Sequence, residues 1–599
     1  MRITVLALAT LLAVGCGGRG RGGSTTPSPS GDGGSAGALT ILPADPVLDV
    51  NGKNSASVTF QVLRGGQDVT ARAALLLENG AFGTFSGATL TTVPGAVGKT
   101  RVRARLDDDE GSTSLTVRVA AVFVAPGTPA DAPMKFGGAD DPARAPSLAY
   151  PADGTLIPPN LAELEFQWEA KGNALFELSL AGDGVNLRIY TKCNAVGSGC
   201  GLEPAELAWK LLSQAARGGT VMVQVRGTSA NGGPVGTSAP RTLSFTQEDM
   251  QGGLYYWAAS AGGIFRYDFG LRNQQAEPFY TAAQAGAQCA GCHGLSRNGK
   301  RIGVGLNIPA PAQMRVLDVA TRKKLFEVGG GGGFPGAGGS DYQAFTSDGA
   351  KIVTTEGGGL TVRDAATGAL IGKSPGLDNA NMPDVSPDGT RVVFARGAGS
   401  CMFGICMTLS VMSAAIVTAQ FNGTSFASIQ TIVPVGGANN YYPSFSPDGQ
   451  LVVFNRSTGS SYDAMDAKVM VVPSRGGQVV ELATANPTAA SWPKWAPFTH
   501  HFGGATIFWI TFSARRPVGL RAQANSQIWM MPVDAAKVLG GADSAFPALR
   551  LPFQDAGTGN HIAQWVEKVE RQPCGPMVEN GTCGQNEECI NGVCVPRPQ

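Results

Sequence analysis

Cysteine and histidine are the scarce reactive residues of this 599-residue chain, eleven and four in number, and three of them stand together as Cys289-Ala290-Gly291-Cys292-His293. Two thiols three positions apart, followed at once by an imidazole, form C-x-x-C-H, the attachment pattern of a c-type haem. Each thiol can make a thioether to one vinyl group on a haem edge, and the next residue can supply a nitrogen to the iron. The expectation is a covalent haem c bound at Cys289, Cys292 and His293, with His293 as proximal iron ligand. Three other readings carry less weight. A thioredoxin-like C-x-x-C lacks its βαβ context, a zinc site needs two more ligands, and a plain disulfide is the bland alternative.

The remaining cysteines speak of export. Met1-Arg2 is a short charged start, Ile3 to Leu12 is apolar, and Ala13-Val14-Gly15 places small residues before Cys16. This arrangement resembles a bacterial lipobox, with Ala13 where that family usually has Leu. The resemblance implies a signal peptide over 1–15, lipidation of Cys16, and an outer-membrane lipoprotein, Gly17 standing where an inner-membrane retention signal would have Asp. An ordinary cleaved signal is the alternative. Residues 16–37 are Gly-, Ser- and Pro-rich with little to bury, a tether with a span of roughly 25 Å. Setting aside Cys16, Cys289 and Cys292 leaves eight cysteines, an even number that reads as disulfides in an exported chain. Cys193 with Cys200 and Cys401 with Cys406 are the expected close pairs. Cys574, Cys583, Cys589 and Cys594 allow three connectivities, and the module they form over 574–599 is too small for a core of its own.

These chemical residues must be positioned by strands. A net charge of +1, 15% charged residues and 83 Gly suit short strands and tight turns, and they remove the basic footprint of a nucleic-acid binder. Beyond the N-terminus no apolar run is long enough to span a bilayer, so membrane association is expected through the lipid alone. Residues 38–125 alternate in runs such as SVTFQV and TSLTVRV, and are similar to bacterial Ig-like sandwiches. Residues 145–246, with LEFQW ending at Trp168 and TVMVQVRG later, are similar to fibronectin type III modules.

Over 252–555 the chain repeats. LSRNG, FTSDG, VSPDG and FSPDG, beginning at Leu295, Phe345, Val385 and Phe445, are each followed by a basic or polar residue and an apolar pair, and Trp495-Ala496-Pro497 starts a fifth copy with a longer turn. Apolar-x-apolar segments near Ile264, Met314, Leu360, Leu409, Val469 and Gln527 bring the units to six. Spacings of about 40 to 60 residues fit four-stranded blades. The S-P-D-G core resembles the TolB-type six-bladed β-propeller. The first unit lacks its innermost strand, which a C-terminal segment is expected to provide. In register, His293 aligns with Gln343, Pro383, Pro443 and Pro493, and Cys292 aligns with Met382. The resemblance places these positions at one mouth of the central channel. Met382 is therefore the expected distal iron ligand, with His561 as the competing one. His500 and His501 are expected to face solvent in the enlarged turn.

The fold class is thus all-β, two β-sandwich modules followed by a six-bladed propeller and a small disulfide-rich C-terminal module. No HExxH, GxSxG, Walker or Rossmann pattern is present, so hydrolase chemistry has no residues to stand on and no catalytic residue is assigned. The leading functional expectation is a lipid-anchored, c-type cytochrome-like propeller passing single electrons to an unidentified redox or protein partner near the outer membrane. A TolB-like scaffold that binds a protein or peptide, with haem structural or absent, is the alternative, and a haem peroxidase or oxidoreductase is a lesser one.

Overall fold

A computed structural model describes residues 38–599 apart from 272–274, 307–312, 330–341, 357, 374–375, 403–404, 462–463, 577, 579–580, 584–586 and 598–599. The signal segment, the tether and Cys16 therefore lie outside the described residues, as do the side chains of Cys401 and Cys406. No described helix is long and apolar enough to cross a membrane.

The repeat forms six sheets of four principal strands each. In the second to sixth blades the innermost strand comes first in sequence: Ala290–Leu295, Gln343–Phe345, Ala380–Val385, Asn439–Phe445 and Ala490–Trp495. The first blade begins at its second strand, Gly253–Ala258, and takes its innermost strand from Asn560–Val566 through antiparallel pairing. The two ends of the propeller segment thus close the ring, and the propeller runs past residue 555 to Val566. Separate apolar cores lie between neighbouring blades: Tyr255, Ile264 and Phe279 face Ile302, Val304 and Leu306, and further round Val353 and Val362 face Val392 and Phe394. Each blade is apolar on both faces, which is why the strands read as near-continuous apolar runs.

The repeated motif earns its residues at the turn after each innermost strand. In the fourth blade Ser386 Oγ accepts from the Arg391 amide at 2.9 Å, Asp388 Oδ1 accepts from the Thr390 amide at 3.0 Å, and Gly389 sits at φ 71°. Ser446, Asp448 and Gly449 repeat this in the fifth blade. A left-handed residue at the fourth position of the turn favours glycine because it has no Cβ.

The two sandwich modules are joined more closely than alternation alone suggests. The long strand Asp109–Val124 of the first pairs in parallel with Val185–Lys192 of the second, so one ten-stranded sheet runs through both. The second module also holds a helix, Glu206–Ala215, whose Trp209 Nε1 donates to the Leu161 carbonyl at 2.6 Å. The second module packs on the propeller through Asn160, which donates to the Phe269 carbonyl at 3.3 Å, and through Glu165 paired with Arg521 at 2.6 Å.

Disulfides join Cys193 to Cys200, Cys574 to Cys589 and Cys583 to Cys594, the last two selecting one of the three connectivities open to the tail. Cys401 and Cys406 are direct cross-strand partners in the backbone register of the fourth blade.

Candidate functional site

The innermost strands share an irregularity at one end. The register slips between Gly291 and Gly294, Asn381 and Asp384, Tyr441 and Ser444, and Ser491 and Lys494, as an extra residue bulges out of each ladder. The bulged residues Cys292, Met382, Tyr442 and Trp492 take φ of 42°, 53°, 51° and 58°, and Ile562 on the closing strand takes 53°. Positive φ is costly for residues with a Cβ, and its recurrence at equivalent places marks a built feature. The bulge turns these side chains inward, and Cys292, Met382, Tyr442, Trp492 and Ile562 ring the channel mouth together with Tyr342 of the third blade.

Beneath this ring lies a cavity of ≈ 70 Å³ lined also by His293, Gln343, Lys494 and Gln564. Tyr442 and Trp492 stack at 4.0 Å, and Tyr342 meets Tyr442 at 6.0 Å, forming an aromatic wall opposite Cys292. Met382 packs with Val411, Ala414, Tyr441 and Tyr442 and is buried. Deeper in the channel Asp384 accepts from Lys494 at 2.6 Å and from the Phe445 amide at 2.8 Å.

Cys292, His293 and Met382 therefore line one cavity, two blades apart. His293 is buried, its Nε2 3.2 Å from the Tyr255 carbonyl oxygen, and burial pulls its pKa down to about 4. Cys289 and Cys292 are thiols, and burial raises the pKa of Cys289, which stands just before the strand. His561 pairs with Trp257 across the closing strand, their rings 5.9 Å apart, and Trp257 in turn lies against Gly291. His561 thus comes back to the motif as ring closure requires, but the indole stands between them.

His500 departs from expectation. It is buried, and Trp509 Nε1 donates to its Nδ1 at 3.0 Å. His501 is exposed and paired with Glu248 at 2.7 Å. The enlarged turn is a strand, His500–Phe502, that alternates these neighbours to opposite faces.

The fit to haem is partial. Cys292, His293 and Met382 line the mouth cavity and Cys289 does not, and the cavity lies well under the ~300–1,000 Å³ of typical small-molecule pockets. The repeat alignment located the mouth, Gln343 included, but missed the aromatic wall. Tyr342, Tyr442 and Trp492 each precede the position aligned with His293, which is a signal the alignment already contained.

The described residues define a protein built of two β-sandwich modules on a six-bladed β-propeller. No protein-family model and no curated protein matches the chain. Solved structures similar to it include TolB from Acinetobacter baumannii, 14% identical, covering 58% of this chain and 79% of that one, with a TM-score of 0.34. Hydrazine synthase of Kuenenia stuttgartiensis is 16% identical over 45% of this chain and 67% of that one, with a TM-score of 0.29. A putative TolB from Agrobacterium tumefaciens is 17% identical over 41% and 83%, with a TM-score of 0.27. The sheet order itself carries the assignment of the propeller.

Proposed function

We propose that this chain is an exported binding scaffold, tethered to the cell envelope by lipid on Cys16, whose channel-mouth face docks a protein or peptide. One observation carries the docking reading. The fourth blade's second and third strands, Arg391–Met402 and Ile405–Phe421, run beyond the start of their innermost strand, where Ala380 pairs with Arg396, and continue paired to Met402 and Ile405. This arm rises on the mouth side. On the arm Met412 is 45% exposed, Met465 is 84% exposed, and the aromatic ring of the mouth is half-open at Tyr342 and Trp492. Methionine surfaces adapt to partners because the thioether is flexible and polarizable.

The test is site-specific photocrosslinking in the envelope, with a benzophenone amino acid at Met412 or Met465 and, on the opposite face, at Thr390. A discrete adduct from the first two positions and none from the third supports docking at the mouth. Adducts of equal yield at all three positions would refute it.

The second reading is a haem c at Cys289, Cys292 and His293 with Met382 as distal ligand and His561 as its competitor, serving one-electron transfer. It is favoured by Cys292, His293 and Met382 sharing a cavity. Protein matured with c-type assembly machinery and extracted with acid-acetone should then keep a two-thioether pyridine haemochrome. Complete extraction of the haem would remove this reading.

A further inference from the structure

In the first sandwich module, alternation along the strand Gly98–Leu106 buries Val102, Ala104 and Leu106 in the core. It turns Lys99, Arg101, Arg103 and Arg105 to the opposite face, a row of cations about 20 Å long at the ordinary strand rise. The neighbouring strand Asp109–Val124 extends this face. The exposed hydroxyls of Ser114 and Ser112 stand across from Arg101 and Arg103, and the same side of the strand carries Arg118 and then Val122, which is opposite Arg188.

Carboxylates answer only part of this charge. Glu78 holds Arg103 at 2.6 Å, Glu110 holds Arg105 at 2.7 Å, Asp183 holds Lys99 at 2.6 Å, and Asp49 pairs with Arg118. All four are exposed surface pairs of the kind that hold weakly. Arg101 and Arg188 are exposed and meet no carboxylate among the described residues.

A separate observation falls on the same face. Val122 is 61% exposed, Val47 is 52% exposed and Leu76 is 50% exposed. Pairing of Val47 with Thr116, Leu76 with Arg103 and Val122 with Arg188 places all three on the cationic side of the sheet. Aliphatic side chains left in water among arginines mark a contact surface. Guanidinium and hydroxyl donors suit phosphate, and the valines and leucine need an apolar phase beside it. A free phosphate or a nucleic acid supplies the first without the second. The surface of an anionic bilayer supplies both, because its headgroups carry phosphate and its acyl chains begin just beneath them.

We propose that this face of the first sandwich module seats on an anionic phospholipid membrane, with Arg101, Arg103 and Arg188 at the phosphates and Val47, Leu76 and Val122 at the acyl boundary. Residues 16–37 lead into the same module, so the lipid proposed on Cys16 would hold the face within roughly 25 Å of a bilayer. The face binds with or without that lipid. It belongs to a different module from the channel mouth, so membrane seating and peptide docking stand or fall separately.

The experiment takes full-length Cys16→Ser protein, which removes the lipid, and sediments it with vesicles of phosphatidylcholine alone or with about one third phosphatidylglycerol. Retention is expected on the anionic vesicles at low ionic strength, with release as salt is raised. Arg101→Gln combined with Arg103→Gln should weaken retention roughly tenfold or more, with thermal unfolding near that of the parent protein. Leu76→Ser should weaken it too while leaving the salt dependence in place, and Lys568→Gln, an exposed change on the propeller, should leave it unchanged. No retention on anionic vesicles, equal retention on phosphatidylcholine alone, or full retention by the double arginine variant would each overturn the surface. An equal loss in Lys568→Gln would show a diffuse attraction of the whole chain and likewise overturn it.

Discussion

His293, on the innermost strand of the second blade, donates its Nε2–H to the backbone carbonyl of Tyr255, on the second strand of the first blade, at 3.2 Å. A chemically scarce side chain thereby bridges two blades just where the propeller's two ends are stitched together, because Tyr255 also pairs with Gln564 of the closing strand.

Closure is clasped by Arg571. Its guanidinium is almost wholly buried and reaches Asp268 at 3.1 Å and Glu277 at 2.9 Å, and Glu277 also holds Arg266 at 2.6 Å. Removing Arg571 leaves the largely buried Asp268 without its cation while Glu277 keeps Arg266, and breaking a buried pair by deleting one partner typically costs about 3–5 kcal/mol. Arg571→Ala is expected to lose about 3 kcal/mol in urea unfolding, and Arg521→Ala, at a half-exposed pair with Glu165, about 1 kcal/mol or less. Equal losses would show that the clasp adds nothing beyond a surface pair.

Acid should weaken the interface between sandwich and propeller through His500. Burial lowers its pKa to about 4, Glu248 and Asp249 pull it the other way, and His501 adds to the lowering. A folded value below the unfolded value of about 6.5 means that the unfolded chain takes up the proton first, so stability is lost as pH falls from about 6.5 to about 4. The full loss is on the order of 3 kcal/mol. His500→Asn keeps an acceptor for Trp509 but cannot titrate, and its stability should fall less between pH 7 and pH 4.5 when denaturant midpoints are compared.

Gly291 is predicted to tolerate no side chain. A Cβ there would stand 2.9 Å from Trp257 Cε2 and 3.1 Å from its Nε1, in the wall between the first and second blades. Gly291→Ala should cost about 1–3 kcal/mol and shift tryptophan emission. Wild-type stability and emission in that variant would show that the indole is not held against the strand.

Cys16 should carry the lipid. Radiolabelled palmitate is expected in the wild type and not in Cys16→Ser, with the variant recovered in the soluble fraction. Unlabelled wild-type protein would leave a plain secretory signal.

Much of this architecture is legible in the residues because local chemistry repeats. Ser386, Asp388 and Gly389 satisfy their own turn, so the same letters recur wherever the same turn is made, and aligning them places Cys292 over Met382 without any coordinates. The need for a C-terminal strand in the first blade follows from counting these turns. The pairing of Cys193 with Cys200 follows from their closeness in sequence.

What the sequence by itself determined is therefore the set of local units and their order: the alternating sandwiches, the six repeats, the missing strand and the C-x-x-C-H segment. Only the tertiary structure decided what depends on residues far apart in the chain. It joined Asp109–Val124 to Val185–Lys192 in one sheet, buried His500 against Trp509, and selected the Cys574–Cys589 and Cys583–Cys594 pairs. It also decided which nitrogen of His293 holds the proton, since that follows from a carbonyl 38 residues away and from a cavity whose other walls come from distant blades. Periodicity reports which face of a strand is apolar. It carries no information about which atom of a neighbouring blade that face will meet.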